Sequence, residues 1–310
     1  MRFLRLAFLS LLAISLFLVA AVCAGAAVAA QFGRESLVWD ILTHFAPVWF
    51  AGATAALLTG VAFRGLTRIL IVSMAAVGVI AAGALMAPEL LRPAGPRATA
   101  DAPDQLKIVQ FNLWHSNAEL DRVADWVAGQ EADIAVFEEA RPEVRQVMEA
   151  ESGWRLAVHR PDVMIFARAR PVRAGPPHSS GRTGPLATAT FRDSRGEFTV
   201  VGVHYAWPTD VADQQAQERR LAAVLADEGS ARTILAGDFN SAPWSFSRRR
   251  WDGEFGVSRR TRAVFTWPAR SYKRLRWLGA VPILPIDHVY AGAEWATVKV
   301  ERGPRLGSDH

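Results

Sequence analysis

The sequence contains a single cysteine, Cys23, so the chain has no internal disulfide and no zinc site built from several thiolates. Lysine is also scarce, because only three of the 35 basic residues are lysines and arginine supplies the remaining positive charge. Arginine forms two parallel hydrogen bonds to an oxyanion. A joint excess of arginine and alanine also follows from biased base composition, which is the simpler interpretation. Hydrophobic residues make up 51% of the chain, which excludes an intrinsically disordered protein.

Charge is nearly missing from the first hundred residues, where three apolar stretches follow one another. They lie at about 6–30, 41–63 and 69–87. Each is close to the roughly 20 residues that a helix needs to cross the hydrocarbon core of a bilayer. A soluble protein would need a large core to bury three such helices in succession. We therefore predict that residues 1–88 form a membrane region with about three spans, although His44 and Pro47 interrupt the second.

The placement of arginine predicts the orientation of this region. Arg2 and Arg5 precede the first stretch, and Arg64 and Arg68 separate the second from the third. Because positive loops stay in the cytoplasm, the chain leaves the third span on the opposite side. The small residues 27–29 also fit a signal-peptide cleavage site, which would leave that location unchanged. We expect a multi-pass protein of the bacterial inner membrane whose later residues lie in the periplasm.

Residues 89–105 are rich in proline and alanine and predict an extended linker, and a domain follows over residues 106–310. In this domain short apolar runs alternate with amphipathic stretches, as strands alternate with helices. The predicted strands are Leu106–Phe111, Asp133–Phe137, Val163–Ala167, Thr199–Val203, Thr233–Ala236 and Ile286–Tyr290.

Two helices are predicted between these strands. Ser116 and Glu119 have the spacing of a capping box at the start of the first helix. Leu221, Val224 and Leu225 mark the apolar face of the second. Strands that alternate with helices, together with the strand-rich stretch 154–204, predict an α/β fold in which helices cover sheets.

Polar residues follow many of these strands, at the end where sheet proteins build their sites. They are Asn112, Glu138 with Glu139, His204, Asp238 with Asn240, Asp287 with His288, and the final Ser308, Asp309 and His310. Each group has an ordinary explanation by itself, such as a turn, a buried histidine or a solvated tail. Six such groups in one domain are poorly explained by six independent accidents, so we interpret them as one site.

The residue types predict a site for a hard divalent cation. Asn112, Glu139 and Asp309 offer the amide and carboxylate oxygens that Mg²⁺ prefers. A cysteine cluster and a His-Glu-x-x-His pattern, which would favour zinc, are both missing from the sequence. Mg²⁺, or Mn²⁺ in its place, is therefore the expected cofactor.

The remaining polar residues fit the handling of a water molecule and its proton. Asp238 and Asn240, two residues apart, are suited to hold and deprotonate a water. A carboxylate such as Asp287 can fix an imidazole such as His310 by one nitrogen and present the other nitrogen to a phosphate. His204 would be a second proton-handling or charge-neutralising group. This set is what the hydrolysis of a phosphodiester requires.

The Gly-Asp-Phe-Asn motif at 237–240 and the Ser-Asp-His motif at 308–310 resemble those of the endonuclease/exonuclease/phosphatase superfamily. This superfamily includes deoxyribonuclease I, abasic-site endonucleases, neutral sphingomyelinases and inositol-polyphosphate phosphatases. The resemblance covers about two thirds of the chain, from Leu106 to His310. It implies a four-layer α/β sandwich, in which helices flank two packed β-sheets, and metal-dependent hydrolysis of phosphate esters.

The resemblance also implies a role for each matching position. The implied metal-site residues are Asn112, Glu139 and Asp309; the implied catalytic residues are His204, Asp238, Asn240, Asp287 and His310. Asp238 matches the carboxylate that activates water, Asn240 the amide that orients phosphate, and Asp287 with His310 the dyad. Arg141 matches a DNA-contacting arginine of the deoxyribonuclease branch, which makes it a candidate substrate-binding residue.

The family pattern normally continues after Ser-Asp-His into a final strand, whereas this sequence stops at His310. We therefore expect a mobile terminal histidine and low activity. This departure keeps an alternative open, namely a catalytically silent binding module on the same fold. No obligate protein partner is inferred.

The substrate is left open between a nucleic acid and a phospholipid headgroup. The stretch 248–262 combines six arginines with Trp251 and Phe255, a combination that suits a phosphate backbone and an anionic bilayer equally. A solvated charged loop explains the same stretch as well.

Overall fold

The computed structural model describes residues 2–151, 153–175, 186–270 and 281–310, and its described residues form two units. The first unit comprises residues 1–92 together with 242–249, and the second comprises residues 93–241 and 250–310. The first unit is helical. Its helices are α1 (Arg2–Ala30), a 3₁₀ turn (Gln31–Arg34), α2 (Leu37–His44), α3 (Ala46–Gly60) and α4 (Gly65–Leu91).

Two of these helical segments, Phe3–Arg34 and Gly65–Leu91, are long and apolar enough to cross a membrane. The second predicted span, at 41–63, is not one straight helix, because α2 and α3 meet at an angle of 58°. Pro47 lies in the first turn of α3, where it has no N–H to donate and its ring would clash with the carbonyl of Thr43 in a continuous helix. The expectation of three spans is thus corrected to two, or to three only if the bent pair crosses as one.

Small residues let the helices of the first unit approach closely. Ala20, Ala56 and Ala75 form a buried cluster from α1, α3 and α4. At Gly78 of α4, an added Cβ would lie 2.8 Å from the Cβ of Ala53 and 3.2 Å from the backbone nitrogen of Ala24. Close contact of this kind is how helices associate in an apolar solvent, where burial of apolar side chains gives no gain.

The second unit contains two mixed β-sheets. The first has the strand order β1–β2–β4–β3 and the second the order β5–β6–β7–β8–β10–β9. Within them, β1 runs parallel to β2 and β7 parallel to β8, and the other pairs are antiparallel. The strands are β1 (Ile108–Asn112), β2 (Ile134–Glu138), β3 (Arg155–Arg160), β4 (Val163–Ala167), β5 (Arg173–Ala174), β6 (Leu186–Asp193), β7 (Gly196–His204), β8 (Thr233–Asp238), β9 (Ser258–Arg259) and β10 (Asp287–Ala291).

The sheets pack against each other through a buried apolar cluster that includes Val136 and Ile165 from the first sheet and Val200 and Ile234 from the second. Helices cover the outer faces. The remaining helices are α5 (Leu120–Gly129), α6 (Glu143–Ala150), α7 (Val211–Glu228) and α8 (Phe246–Glu254). Helices α5 and α6 pack on the first sheet, and α7 packs on the second. The predicted α/β class is confirmed.

All six predicted strands are present; Val163–Ala167 has the predicted ends, and the ends of the others are shifted by at most three residues. The capping box is wrong: α5 has Glu119 as its N-cap without a side-chain cap, and the Asn117 side chain accepts a hydrogen bond from the Glu119 N–H at 2.9 Å instead. Within the predicted linker 89–105, α4 continues to Leu91 and residues 96–98 exchange backbone hydrogen bonds with Thr297.

The packing at Gly78 leads to a prediction about stability. Replacement of Gly78 by leucine should lower the unfolding temperature of the detergent-purified protein by several degrees, since the new side chain must push α1 and α3 apart. Gly25→Leu in α1 is the matched control, because a Cβ there meets no atom within 4 Å. Thermal unfolding followed by circular dichroism measures both; equal unfolding temperatures would contradict the packing argument.

Candidate active site

The register of the second sheet brings three predicted site residues into one row. His204 at the end of β7 pairs with Asp238 at the end of β8, and Asp238 pairs with Asp287 at the start of β10. Because β10 is antiparallel to β8, its first residue lies beside the last residue of β8. In the first sheet β1 and β2 are parallel, so Asn112 at the end of β1 lies beside Glu138 at the end of β2. Polar residues at the strand ends thus converge, as the sequence predicts.

The side chain of Asn112 connects the two sheets. Its Nδ2 donates to Glu139 Oε1 at 3.2 Å and to Asp238 Oδ2 at 3.0 Å, while its Oδ1 accepts from the Trp114 N–H at 3.0 Å. Asn112 and Asp238 are buried almost completely. The amide therefore fixes the distance between a carboxylate that follows β2 and a carboxylate at the end of β8.

His310 and Asp287 form the dyad that the sequence predicts. His310 Nδ1 lies 2.8 Å from Asp287 Oδ2, and His310 Nε2 lies 3.7 Å from Asp238 Oδ2. The structure places the terminal histidine inside the site. Its side chain is only 6% exposed, and its backbone N–H donates to Ser308 Oγ at 3.1 Å. Ser308 Oγ in turn donates to the carbonyl of Asn112 at 2.7 Å, so the last three residues are tied to β1.

Behind the dyad lies a pair of residues with no predicted role. Gln110 Nε2 donates to Asp287 Oδ1 at 2.9 Å and to Glu138 Oε2 at 2.7 Å. Burial first, and then the charge of Asp287, raise the pKa of Glu138 well above its ordinary value. Gln110 precedes Asn112 by two residues in β1. Because side chains alternate between the two faces of a strand, this spacing could have predicted that both lie on one face.

A second group missed in the sequence lies beside Glu139. His115 Nδ1 is 2.7 Å from Glu139 Oε2, and His115 Nε2 is 2.9 Å from Asp162 Oδ1. His204 faces the same two carboxylates, at 4.0 Å from Glu139 Oε1 and 3.8 Å from Asp162 Oδ2. No spacing in the sequence relates Asp162, in the turn between β3 and β4, to His115 after β1.

Several residues at the site have strained backbones. Glu139, Asn240, Trp114 and Asp162 have positive φ angles of 51°, 46°, 59° and 68°, which non-glycine residues seldom adopt. Strain of this kind persists where surrounding contacts hold it, often at functional sites. For Asn240 these contacts are the Asp238 carboxylate, which accepts from the Asn240 N–H at 2.8 Å, and the Tyr205 carbonyl, which accepts from Asn240 Nδ2 at 2.8 Å.

Two other predicted features lie apart from this network. Arg141 Nη2 donates to the Asn117 carbonyl at 3.0 Å, and no contact in the described residues links it to the dyad. The basic stretch 248–262 is divided: Arg248, Arg259 and Arg260 are each less than 10% exposed, whereas Arg250 and Arg262 are exposed. Half of the six arginines are therefore used in packing, which reduces the positive surface that the sequence suggests.

The donor set fits a hard divalent cation. Among the described residues, Asp238, Asp287 and His310 offer three ligand atoms within 4.8 Å of one another. Asp309, a predicted metal ligand, has a buried Oδ1 that meets no hydrogen-bond donor in the described part of the chain, whereas its Oδ2 accepts from Trp267 Nε1 at 3.3 Å. A buried carboxylate oxygen without a donor is costly unless a cation or water meets it. The predominance of carboxylate oxygens favours Mg²⁺ or Mn²⁺ over softer metals.

The charges of the site shift its ionisation. Burial raises the pKa of Asp238 to about 6, although the nearby His310 works in the opposite direction. Burial lowers the pKa of His310, but the charges of Asp287 and Asp238 outweigh it and raise that pKa to about 10. At Glu139 burial is outweighed by hydrogen bonds from the His115 side chain and backbone, which hold its pKa below the ordinary value. In the absence of metal, the imidazole is thus the cationic member of the dyad at neutral pH.

These features identify the class of protein. A family model described as the endonuclease/exonuclease/phosphatase family matches residues 109–310, which is more than half of the chain. The chain belongs to this family, and the resemblance drawn from the sequence motifs is confirmed.

Solved structures of the same class are similar to the chain. The match to a mannosyl-6-phosphatase of Bacteroides thetaiotaomicron covers 66% of this chain and 97% of the phosphatase chain, with 15% sequence identity and a TM-score of 0.50. The match to sphingomyelinase C of Streptomyces griseocarneus covers 61% of this chain and 85% of the sphingomyelinase chain, with 17% sequence identity and a TM-score of 0.46. No curated protein matches the chain.

The coupling of His310 to Asp287 leads to a prediction for the metal-free protein. With a chelator present, His310 should stay protonated through pH 8, and Asp287→Asn should lower its pKa because the closest negative charge is removed. The pKa of His310 in the folded protein lies above its ordinary value of 6.5. The His310–Asp287 pair therefore stabilises the fold fully below pH 6.5, and this stabilisation is lost as the pH rises toward 10. NMR titration of ¹⁵N-labelled histidine measures the shift. Asp227→Asn, an exposed change on α7, should leave the His310 titration unaltered.

Proposed function

We propose that residues 106–310 form a divalent-metal-dependent hydrolase of phosphate esters, and that the preceding helices hold it in a membrane. The observation that carries this proposal is the meeting of two pairs at one carboxylate. The Asn112–Glu139 pair and the Asp287–His310 pair both reach Asp238 Oδ2, at 3.0 Å and 3.7 Å respectively. Membership of the family supports hydrolysis of a phosphoester bond as the reaction class.

The proposed mechanism assigns one task to each group. A divalent cation, held by Glu139, Asn112 and Asp309, would offset negative charge on the phosphate and polarise the bond to be broken. Asp238 would accept the proton of the attacking water, and Asn240 would orient the phosphate. His310, kept protonated by Asp287, would stabilise charge on the phosphate opposite the leaving group. His204 lies 3.9 Å from Asp238 Oδ2 and would assist the transfer of its proton.

The proposed substrate is a phosphodiester, either in a nucleic acid or in a phospholipid headgroup. The named activities of similar proteins include a sphingomyelinase and a mannosyl-6-phosphatase, which lie in different substrate classes. Attachment to a membrane would concentrate the domain near lipids, and this supports the headgroup as the first substrate to test.

The proposal predicts a metal requirement. Hydrolysis of bis-p-nitrophenyl phosphate by the full chain should need Mg²⁺ or Mn²⁺ and stop with EDTA. Glu139→Gln should raise the metal concentration needed for half-maximal rate at least tenfold, since one carboxylate charge is lost. Asp238→Asn should lower kcat by a hundredfold or more, because the amide cannot accept the proton. Glu143→Gln, exposed at the start of α6, is the matched control for the glutamate change.

Two outcomes would contradict this assignment. Turnover that resists EDTA would exclude the metal-dependent reaction. Metal binding without turnover, with the same affinity in the wild type and in Asp238→Asn, would instead favour a silent binding module.

Contacts inside the first unit, which we call the membrane unit, support a proposed topology. Asp40 and His44 of α2 contact residues 244, 246 and 247, which supports placing the two segments on one side of the membrane. The chain between them would then cross an even number of times, with α4 as one crossing, so this topology requires the segment that includes α3 to supply a third span. Since α1 crosses once before them, the amino terminus lies on the opposite side, and the arginines at 2, 5, 64 and 68 favour the cytoplasm for that side.

A reporter fusion tests this topology. Alkaline phosphatase joined after Arg97 should be active, since it would fold in the periplasm, whereas the same enzyme joined after Arg64 should be inactive. A cytoplasmic reporter such as green fluorescent protein should give the reverse pattern at both positions. The opposite result at Arg97 would overturn the periplasmic location.

A further inference from the structure

The buried carboxylate of Asp40 bonds to a segment that lies some two hundred residues later in the chain. Asp40 is 3% exposed, and its Oδ1 and Oδ2 accept hydrogen bonds from the backbone N–H groups of Phe246 and Ser247, each at 2.8 Å. Thr43 Oγ1 donates to Asp40 Oδ1 at 3.0 Å. Both oxygens of this carboxylate are thus satisfied by designated donors, which offsets the cost of its burial.

The partners of Asp40 are the first two residues of α8. The first N–H groups of a helix have no acceptor inside the helix, and the helix dipole favours a negative charge at that end. A nearby residue often supplies such a cap, and here Ser245 Oγ accepts from the Arg248 N–H at 3.0 Å. Asp40 caps the other two N–H groups from a separate part of the chain, so the start of α8 depends on the membrane unit.

Further contacts hold the same segment. Trp244 Nε1 donates to the carbonyl of His44 at 3.4 Å. The guanidinium groups of Arg34 and Arg249 lie 5.4 Å and 4.4 Å from the ring centre of Phe246. Gly33 allows this approach, because a Cβ there would lie 2.9 Å from the Phe246 ring. Residues 33–44 therefore form a receptor for residues 242–249, which we name the Asp40 receptor.

The chain enters this receptor directly after the proposed catalytic loop. Asp238 and Asn240 belong to the second unit, whose first segment ends at Ser241, and residues 242–249 fold with the membrane helices before the chain returns to the second unit at Arg250. The loop is also held at Ser241. The Ser241 carbonyl accepts from His288 Nε2 at 2.8 Å, and its Oγ accepts from Gln214 Nε2 at 3.1 Å. One residue thus separates the strained Asn240 from the receptor-bound segment.

We propose that Asp40 is a positioning residue for the catalytic loop, so that the membrane unit takes part in catalysis in addition to holding the enzyme at the membrane. Asp40 keeps residues 246–247 in place, and the short connection through 241–245 transmits this constraint to Asn240 and Asp238. The catalytic part of this inference rests on the proposed function. The mechanical part, the dependence of loop order on Asp40, does not.

The test compares Asp40→Ala and Asp40→Asn with the wild type, using the full chain in lipid nanodiscs. Glu35→Ala is the matched control, because Glu35 is an exposed acid just before α2 and makes no hydrogen bond to residues 242–249 among the described residues. Hydrogen exchange followed by mass spectrometry reports the order of residues 238–249. Hydrolysis of bis-p-nitrophenyl phosphate with Mn²⁺ reports kcat and KM separately.

We expect Asp40→Ala to speed exchange at 246–247 and also at 238–241, and to lower kcat about tenfold with little change in KM. Asp40→Asn should fall between the wild type and Asp40→Ala, since its one carbonyl oxygen still accepts one of the two N–H groups. Glu35→Ala should match the wild type in both measurements.

Three results would overturn the inference. Unchanged exchange at 246–247 would show that Asp40 does not cap α8. Faster exchange confined to 246–247, with unchanged kcat, would reduce the cap to a local structural role. A rise in KM with an unchanged kcat would instead show that Asp40 acts on the access of substrate. If the wild type itself has no activity, the proposed function fails, while exchange at 238–241 still decides whether Asp40 orders the loop.

Discussion

One side-chain amide holds together carboxylates that belong to different sheets. Asn112 Nδ2 donates to Glu139 after β2 and to Asp238 at the end of β8, and each oxygen is fixed only because the two sheets are packed face to face. The apolar contacts between the sheets therefore determine the geometry of the polar site at their edge. A change in the distance between the sheets would separate the proposed metal ligands from the proposed base.

The charge balance of this edge supports the proposed chemistry. Three carboxyl groups, those of Glu138, Asp238 and Asp287, are buried near one another, and the His310 imidazole lies against Asp287 and Asp238. Burial raises the pKa of Glu138 and of Asp238, since the low-dielectric interior disfavours a negative charge. More buried acids than cations favour a protonated imidazole and the binding of a divalent cation, the two positive groups that the proposed hydrolysis uses.

Much of this site was predictable because it follows from local rules. Asn112, His204 and Asp238 end apolar strands, and strands that run in the same direction bring their ends to the same edge. The residues that sequence reasoning missed lack such a rule. Asp162 reaches Glu139 and His115 through the turn of a hairpin, and the burial of Arg259 and Arg260 depends on β10, which is distant in sequence. The break before α3 was signalled by Pro47, but its angle depends on packing between helices.

On the proposal made above, the continuous chain from Ser241 to Ala242 gives the apolar helices a mechanical role. A helix that only anchors a domain needs no buried polar contact with the segment beside the catalytic loop, because a flexible linker suffices. Asp40 is a buried carboxylate in a unit whose long helices are apolar, and such a group costs free energy unless its hydrogen bonds are specific. Its acceptors are oriented toward two N–H groups of α8, six and seven residues after Asn240. Residues 246–247 supply two of the hydrogen bonds that offset the burial of this carboxylate, and on the proposal made above the order of the catalytic loop depends on them.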